Sequence, residues 1–222
     1  MKIDISEHVG AVVRAVENRT HDGHPAHVVH ASRTYDTTVD DLWDALTSKE
    51  RIPRWFLPVS GDLRLGGRYQ LQGNASGTIT RCEPPRVVGM TWEFGGQTTW
   101  VEVRLSPAAD GRAHFELEHT TRLPDPHWDQ FGPGADGVGW DMALLGLATH
   151  LATGAAVDPR EAMAWFGTEA GKEFVRESSA GWGRASIESG TEAGAAQAAA
   201  ARTTAAYTGE PGDAATKETP SG

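Results

Sequence analysis

The sequence predicts an α+β protein in which a curved antiparallel sheet of about six or seven strands wraps around one long helix. Two observations lead to this prediction. Between Gly66 and Thr121, β-rich segments follow one another about every eight to twelve residues and are separated by turn residues, as in an antiparallel meander. Residues 138–153 then have the apolar spacing of an amphipathic helix. A sheet with one apolar face and one long helix pack as two layers with a cleft between them.

The N-terminal part of the sequence predicts a hairpin. Asp22-Gly23 is typical of a tight primed turn, because both central residues of that turn need positive φ. β-branched segments flank this pair on both sides, which favours extended structure. We therefore expect strands at about 11–19 and 26–35.

Two short helices are expected after the hairpin. Thr38 is a typical N-cap residue. The apolar residues behind it recur at i, i+3, i+4 and i+7, which places them on one helical face: Val39, Leu42, Trp43 and Leu46. A second short helix is predicted after Ser48, ending near residues 53–56.

The central region predicts five strands and assigns their faces. The predicted strands are 67–72, 77–83, 86–94, 97–105 and 112–121. Alternation places apolar side chains on one face of the last two strands, together with His119: Val101, Val103, Leu105, Phe115 and Leu117. The intervening charged residues point to the other face: Glu102, Arg104, Glu116 and Glu118.

The C-terminal part predicts helices. The apolar residues of the long helix at 138–153 share one face: Trp140, Leu144, Leu147 and Leu151. Asp158-Pro159 supplies an N-cap and a first-turn proline for a further helical stretch. Its continuation has a stripe that must pack on something: Phe174, Ser178, Trp182 and Ala185. The expected organisation is an N-terminal extension with an added hairpin strand (1–25), an α+β domain of sheet and long helix (26–153), a helical extension (154–207) and a disordered tail (208–222).

Composition and charge exclude several classes of function. The chain has 20 Lys and Arg against 30 Asp and Glu, a formal charge of −10, which disfavours nucleic acid and anionic membranes. Cys82 is the only cysteine, so neither an intrachain disulfide nor a multi-cysteine zinc site can form. The longest uncharged run, between Asp141 and Asp158, has sixteen residues and is too short for a spanning helix. We expect a cytoplasmic protein without membrane insertion.

Several short motifs resemble the SRPBCC superfamily and, more narrowly, its branch of activator of heat-shock-protein ATPase homologues, which is related to START and polyketide-cyclase domains. In chain order the motifs are residues 38–47 (TVDDLWDALT), Arg54-Trp55-Phe56, Gly66-Gly67-Arg68-Tyr69, Gly77-Thr78-Ile79, Glu83-Pro84-Pro85-Arg86, Thr91-Trp92-Glu93 and Gly139-Trp140. The resemblance covers about residues 26–153 and implies a helix-grip fold with a deep apolar pocket. It says less about function, because this superfamily places lipid carriers, cyclases and protein-binding domains on one scaffold.

Carried over position by position, the resemblance implies a pocket wall of Trp55, Phe56, Tyr69, Trp92 and Trp140, with Leu144 and Leu147 on the helix side. The face assignment adds Phe115, Leu117 and His119. Ordinary core packing is the alternative for each apolar residue. His119 is the one candidate for orienting a ligand or moving a proton, and the alternative is a hydrogen-bonded histidine at a strand end. The sequence positions no nucleophile or second base beside it, so no catalytic residue is assigned.

Two further motifs resemble patterns for cofactor and metal binding, but we predict neither a cofactor nor a metal from them. Residues 132–137 (GPGADG) match the dinucleotide fingerprint, but that motif needs a strand leading into a βαβ unit, and this sheet is antiparallel. We instead expect a flexible loop at the pocket mouth, with a lid of His127, Trp128 and Phe131. Four histidines recur every third residue at 21, 24, 27 and 30, yet Gly23 and Pro25 break any helix that would bring them together.

Three functions remain in competition. The leading hypothesis is a binding module for a small hydrophobic or amphipathic molecule. The second is a cofactor-free, polyketide-cyclase-like lyase or isomerase in which His119 or Tyr69 assists proton transfer. The third is a co-chaperone domain that stimulates a heat-shock-protein ATPase, although the resemblance implies a preceding domain in those activators. A homodimer is compatible with all three.

Overall fold

The structure is a computed structural model that describes residues 4–210. Eight strands form one antiparallel sheet in the order β1-β2-β8-β7-β6-β5-β4-β3. The strands are β1 (Val13–His21), β2 (His24–Tyr35), β3 (Val59–Gly61), β4 (Arg68–Leu71), β5 (Ser76–Glu83), β6 (Val87–Phe94), β7 (Gln97–Pro107) and β8 (Ala113–Arg122).

The described residues contain seven α-helices, of which the first and the third were not predicted from the sequence. They are α1 (Ile5–Gly10), α2 (Val39–Thr47), α3 (Pro126–Phe131), α4 (Gly134–Thr153), α5 (Pro159–Phe166), α6 (Glu169–Glu188) and α7 (Ala193–Thr208), with short 3-10 turns at Ile52–Arg54 and Ala109–Gly111. The predicted α+β helix-grip architecture is confirmed. The sheet has one strand more than predicted, because the three residues of β3 also pair with β4.

The N-terminal hairpin has the predicted turn. Asp22 and Gly23 have φ values of 46° and 79°, as a primed turn requires, and His21 pairs with His24 across it. β2 continues the sheet by pairing with β8 from Ala26–Arg122 to Tyr35–Ala113. The hairpin therefore adds β1 as the edge strand next to β2.

The region after β2 contains one helix where two were predicted. The Thr38 side chain accepts a hydrogen bond from the Asp41 amide and caps α2, as its sequence indicates. The second predicted helix is only a 3-10 turn, in which the amides of Arg54 and Trp55 donate to carbonyls three residues back. Pro53 lacks an amide hydrogen, so this segment cannot build a regular helical ladder.

The core lies between the inner face of the sheet and α2 and α4. The apolar residues that alternation assigned to the inner face of β7 and β8 are all buried in one cluster, which includes Leu144 and Leu147 of α4. His119 lies on the same face of β8 and is 4% exposed. The predicted faces of these two strands are therefore correct.

The glycine-rich segment at 132–137 differs from the prediction of a flexible loop. α4 begins at Gly134, and Gly134 and Gly137 are buried within the helix. A side chain at Gly137 would overlap the Trp182 ring, and one at Gly134 would press on Thr203. These glycines let α6 and α7 approach α4 closely, which is why the segment is helical despite its composition.

The residues predicted to form a lid belong to a short helix. His127, Trp128 and Phe131 lie in α3, directly before the first turn of α4. The Trp128 ring stacks on His27 of β2, with 4.1 Å between ring centroids. The prediction of a mobile lid is therefore replaced by a helix that is fastened to the sheet.

The helical extension packs against α4 and the added hairpin strand. α6 contacts α4, α7 and β1. The predicted stripe of Phe174, Ser178, Trp182 and Ala185 is buried throughout. Thr208, the first residue of the predicted tail, ends α7, and residues 211–222 of that tail lie outside the described residues. Within residues 4–210, no helix combines the length and apolar character that crossing a membrane requires.

Candidate ligand-binding site

An apolar cavity of about 120 Å³ lies between the inner face of the sheet and the segment that runs from α2 through the 3-10 turn to β3. We call it the apolar cavity. Its sheet side is formed by strand residues that include Leu71, Ile79, Val88, Met90, Val101 and Val103. Thr47 is the only described lining residue outside the hydrophobic and aromatic classes. The cavity therefore offers a ligand almost exclusively apolar contacts.

The aromatic walls of the apolar cavity are held by hydrogen bonds to backbone carbonyls. Trp55 Nε1 donates to the Ala45 carbonyl at 2.8 Å, and the Trp55 ring stacks on Phe56. Tyr69 Oη donates to the Thr91 carbonyl at 2.8 Å. Burial raises the pKa of the Tyr69 phenol well above its usual range, so the hydroxyl stays protonated. These rings therefore present apolar surface, because their polar atoms are already bonded.

Half of the predicted pocket residues line the apolar cavity. Trp55, Phe56, Tyr69, Trp92 and Trp140 form part of its wall. The other apolar candidates lie in the core away from this wall: Phe115, Leu117, Leu144 and Leu147. Strand alternation assigns a face of the sheet, but it does not show where α2 and α4 already fill the space over that face.

His119 lies beside the apolar cavity and not on its wall. Its Nδ1 accepts a hydrogen bond from Trp140 Nε1 at 3.1 Å, and its Nε2 lies 2.7 Å from Thr99 Oγ1. Because Nδ1 is an acceptor, Nε2 carries the proton of the neutral ring. Burial lowers the pKa of His119, while the carboxylates of Asp136 and Asp125 act in the opposite direction. The ring is therefore a neutral imidazole that positions Trp140.

A second depression, of about 270 Å³, lies next to Trp92. We call it the polar cleft, and its polar side chains come from four elements and the β8–α3 loop: Gln97, Thr99, His119, Thr121, Asp125, His127 and Asp136. Trp92 lines both the apolar cavity and the polar cleft. Its ring centroid is 5.2 Å from that of Trp140 and 6.4 Å from that of His119.

Most polar groups of this cleft could not be predicted from the sequence. Asp125 caps α3 by accepting a hydrogen bond from the His127 amide, and Asp136 lies in the first turn of α4. Only the fold brings these carboxylates near His119. Thr121 could have been predicted from the sequence, because the alternation of β8 places the residue two positions after His119 on the same face.

The histidine tract forms no cluster in the structure. The His27 ring bonds to Asn18, and His30 Nε2 lies 3.2 Å from a carboxylate oxygen of Glu17. In residues 4–210, no group of three His, Cys, Asp or Glu side chains is arranged to hold a metal ion. Cys82, the single cysteine, is partly buried on the wall of the apolar cavity.

The family model AHSA1, described as Activator of Hsp90 ATPase homolog 1-like protein, matches residues 36–152, which is more than half of the 222-residue chain. The chain belongs to this family. The resemblance inferred from the short motifs is confirmed by this match. A search of curated proteins found no match to this AHSA1-like protein.

Several solved structures share the fold of this chain. The crystal structure of CalU16 from Micromonospora echinospora is 41% identical, with a TM-score of 0.57 over 65% of this chain and 88% of CalU16. The solution structure of CalU16 aligns at 33% identity, with a TM-score of 0.66 over 81% of this chain and 97% of CalU16. DynU16, a protein in the dynemicin biosynthetic locus, shares the fold at 20% identity, a TM-score of 0.51, and coverage of 58% and 48%.

Proposed function

We propose that this AHSA1-like protein binds a small hydrophobic or amphipathic molecule in the apolar cavity. The observation that supports this proposal is the wall itself, in which aromatic rings are fixed by hydrogen bonds to backbone carbonyls and turn apolar surface inward. A concave, mostly apolar space with pre-positioned walls is the usual form of a small-molecule site. Further polar groups are available next to Trp92, in the polar cleft.

The volume of the apolar cavity limits the buried part of the ligand. An engineered apolar cavity of about 150 Å³ in another protein stays dry and holds benzene. The cavity of this protein, at about 120 Å³, is similar in size. We therefore expect it to admit one small ring or a short branched chain. The remainder of a larger ligand would extend beyond it.

The geometry favours a binding module over a cyclase-like enzyme. Tyr69 Oη is engaged with a carbonyl, and both ring nitrogens of His119 have partners. Tyr69 on the wall of the apolar cavity and His119 beside it are therefore not free to exchange a proton with a ligand in that cavity. The family description gives independent support to one alternative, in which the domain stimulates an Hsp90-type ATPase.

The test is thermal denaturation of the full chain with small apolar compounds such as propylbenzene. Binding at 100 times Kd stabilises the folded state by about 2.7 kcal/mol, or roughly 5 to 11 °C in Tm at this size. Val103→Phe places a ring into the apolar cavity, and we expect it to abolish that shift. Val13→Phe is the matched control, because Val13 is 68% exposed on β1.

The result that contradicts the proposal is the absence of a shift across a broad panel of apolar compounds, or an equal shift in the Val103→Phe and unmodified proteins. Stimulation of an Hsp90-type ATPase by the unliganded protein would favour the co-chaperone alternative. Native mass spectrometry of the protein from its own cells would show a co-purified molecule directly.

A further inference from the structure

The polar cleft adjoins the apolar cavity, and Trp92 is the residue that lines both spaces. The rest of the cavity wall near it consists of apolar strand residues, whereas His119 and Thr99 line the cleft. The Thr99 hydroxyl also donates to the Trp92 carbonyl at 3.2 Å. A molecule that extends along the Trp92 side chain would occupy part of the apolar cavity and part of the polar cleft.

Polar side chains at the base of the cleft are withdrawn from water. His119, Thr121 and Asp125 are each at most 5% exposed. Thr121 lies on the same face of β8 as His119, and within residues 4–210 its Oγ1 has no hydrogen-bond partner. A buried hydroxyl without a partner costs free energy, so its presence here indicates a group that a bound molecule completes.

The charge of the cleft selects among ligands. Asp125 and Asp136 contribute two carboxylates, and Asp136 Oδ2 lies 3.9 Å from His119 Nδ1. No Lys or Arg is found among the described residues that line the cleft. His127 is the other titratable lining group, and its side chain is exposed. The positive end of the α4 dipole offsets part of this negative charge. The balance still favours a cation or a neutral donor over an anion.

We propose that the polar cleft binds the protonated amino group of an amphipathic ligand whose apolar part occupies the apolar cavity, with Asp136 as the counter-ion and Thr121 Oγ1 as a hydrogen-bond acceptor. This inference rests on the proposed function and narrows it, because it names the chemical class of the head group. Asp125 already caps α3, so Asp136, which is about one-third exposed, is the more available carboxylate.

Three matched probes test the inference: 3-phenylpropylamine, 3-phenylpropanoate and propylbenzene. They share a ring and a three-carbon chain and differ in head-group charge. By isothermal titration calorimetry on the full chain, we expect the amine to bind roughly ten- to a hundredfold more tightly than propylbenzene, as for a hydrogen bond to a charged group. The carboxylate should bind more weakly than propylbenzene.

Asp136→Asn keeps the shape of the side chain and removes its charge. We expect it to bring the affinity for the amine to within about threefold of that for propylbenzene, and to leave propylbenzene binding unchanged. Thr121→Val removes the hydroxyl at constant shape. It should lower amine affinity severalfold while the Tm of the free protein stays the same or rises, whereas a purely structural role of Thr121 would lower that Tm.

The outcomes separate this inference from the function on which it rests. Binding of propylbenzene without any preference for the amine overturns the inference and leaves the apolar cavity as the ligand site. An amine preference that survives Asp136→Asn also overturns it. A third outcome is that the amine binds in an Asp136-dependent manner, propylbenzene does not bind, and Val103→Phe does not weaken amine binding. In that case the cleft binds the amine without the apolar cavity, and the proposed function fails.

Discussion

Arg14→Met is expected to be one of the most destabilising substitutions outside the hydrophobic core. Arg14 Nε donates to Asp141 Oδ2 at 2.9 Å, and the side chains of the two residues are only 7% and 1% exposed. Ser178 and Trp182 of α6 donate to the same carboxylate oxygen. The carboxylate thus joins β1, α4 and α6, and Arg14 is its positively charged partner.

The magnitude follows from burial. Removing one partner of a buried ion pair costs about 3 to 5 kcal/mol, because the other charge remains without compensation. The hydrogen bonds from Ser178 and Trp182 remain and offset part of this loss. Against a total stability of about 5 to 15 kcal/mol, the change is large. Arg19→Met is the matched control on the same strand, since the Arg19–Glu118 pair is about 30% exposed and should contribute at most about 1 kcal/mol.

The pH dependence has a definite sign. Burial raises the pKa of Asp141, and Arg14 opposes this rise. Without Arg14 the pKa of the folded state rises further above that of the unfolded chain, so the folded protein binds the proton more tightly. The destabilisation is then complete above the folded-state pKa and decreases as the pH falls through it, by about 1.4 kcal/mol per pKa unit.

Urea unfolding at pH 8 and pH 5, followed by tryptophan fluorescence and circular dichroism, measures both effects. We expect Arg14→Met to lose several kcal/mol relative to the unmodified protein at pH 8, and clearly less at pH 5. A loss no larger than that of Arg19→Met, or one that is the same at both pH values, would refute this account of the buried pair.

Two further predictions concern helix packing and capping. Gly137→Ala places a methyl group against the Trp182 ring and should lower the free energy of unfolding by roughly 1 to 3 kcal/mol, whereas Gly10→Ala, with no neighbour within 4 Å, should change it by less than about 0.5 kcal/mol. Thermal melts of the two variants decide this, and equal melts contradict it. Asp158→Ala removes the hydrogen bond that the Asp158 carboxylate accepts from the Arg160 amide at the start of α5 and should cost about 0.5 to 2 kcal/mol, while Asp158→Asn retains most of the stability. A loss of stability in the asparagine variant as large as in the alanine variant would contradict a capping role.

Local chemistry was sufficient for much of the fold. Thr38 caps α2 and Asp158 caps α5 through side-chain oxygens, and these bonds depend on a few neighbouring residues only. The Asp22-Gly23 turn likewise depends on the backbone preferences of two residues. Such signals are present in any window of the sequence, so the element order could be predicted.

Long-range packing could not be predicted in the same way. The glycines of residues 132–137 indicate a loop when they are considered locally, but Gly137 faces Trp182 and Gly134 faces Thr203, which lie far along the chain. The helix forms because close approach of α6 and α7 stabilises it, and this tertiary effect overrides intrinsic propensity.

The candidate site likewise has one part that could be predicted from the sequence and one part that could not. The motifs place Trp55, Tyr69 and Trp92 near one another, and the structure puts all three on the apolar cavity. The polar cleft depends on Asp125 and Asp136, which precede the first turn of α3 and belong to the first turn of α4, respectively. In the sequence each has the character of a helix-start residue, and nothing local connects either of them to His119.

The contact between β1 and α6 also has a consequence for biosynthesis. Arg14 and Trp182 meet around Asp141 although 168 positions separate them in the sequence. At typical translation rates, roughly 10 to 30 s pass between the synthesis of these two residues. During that interval the surface of β1 that α6 later covers is exposed to solvent.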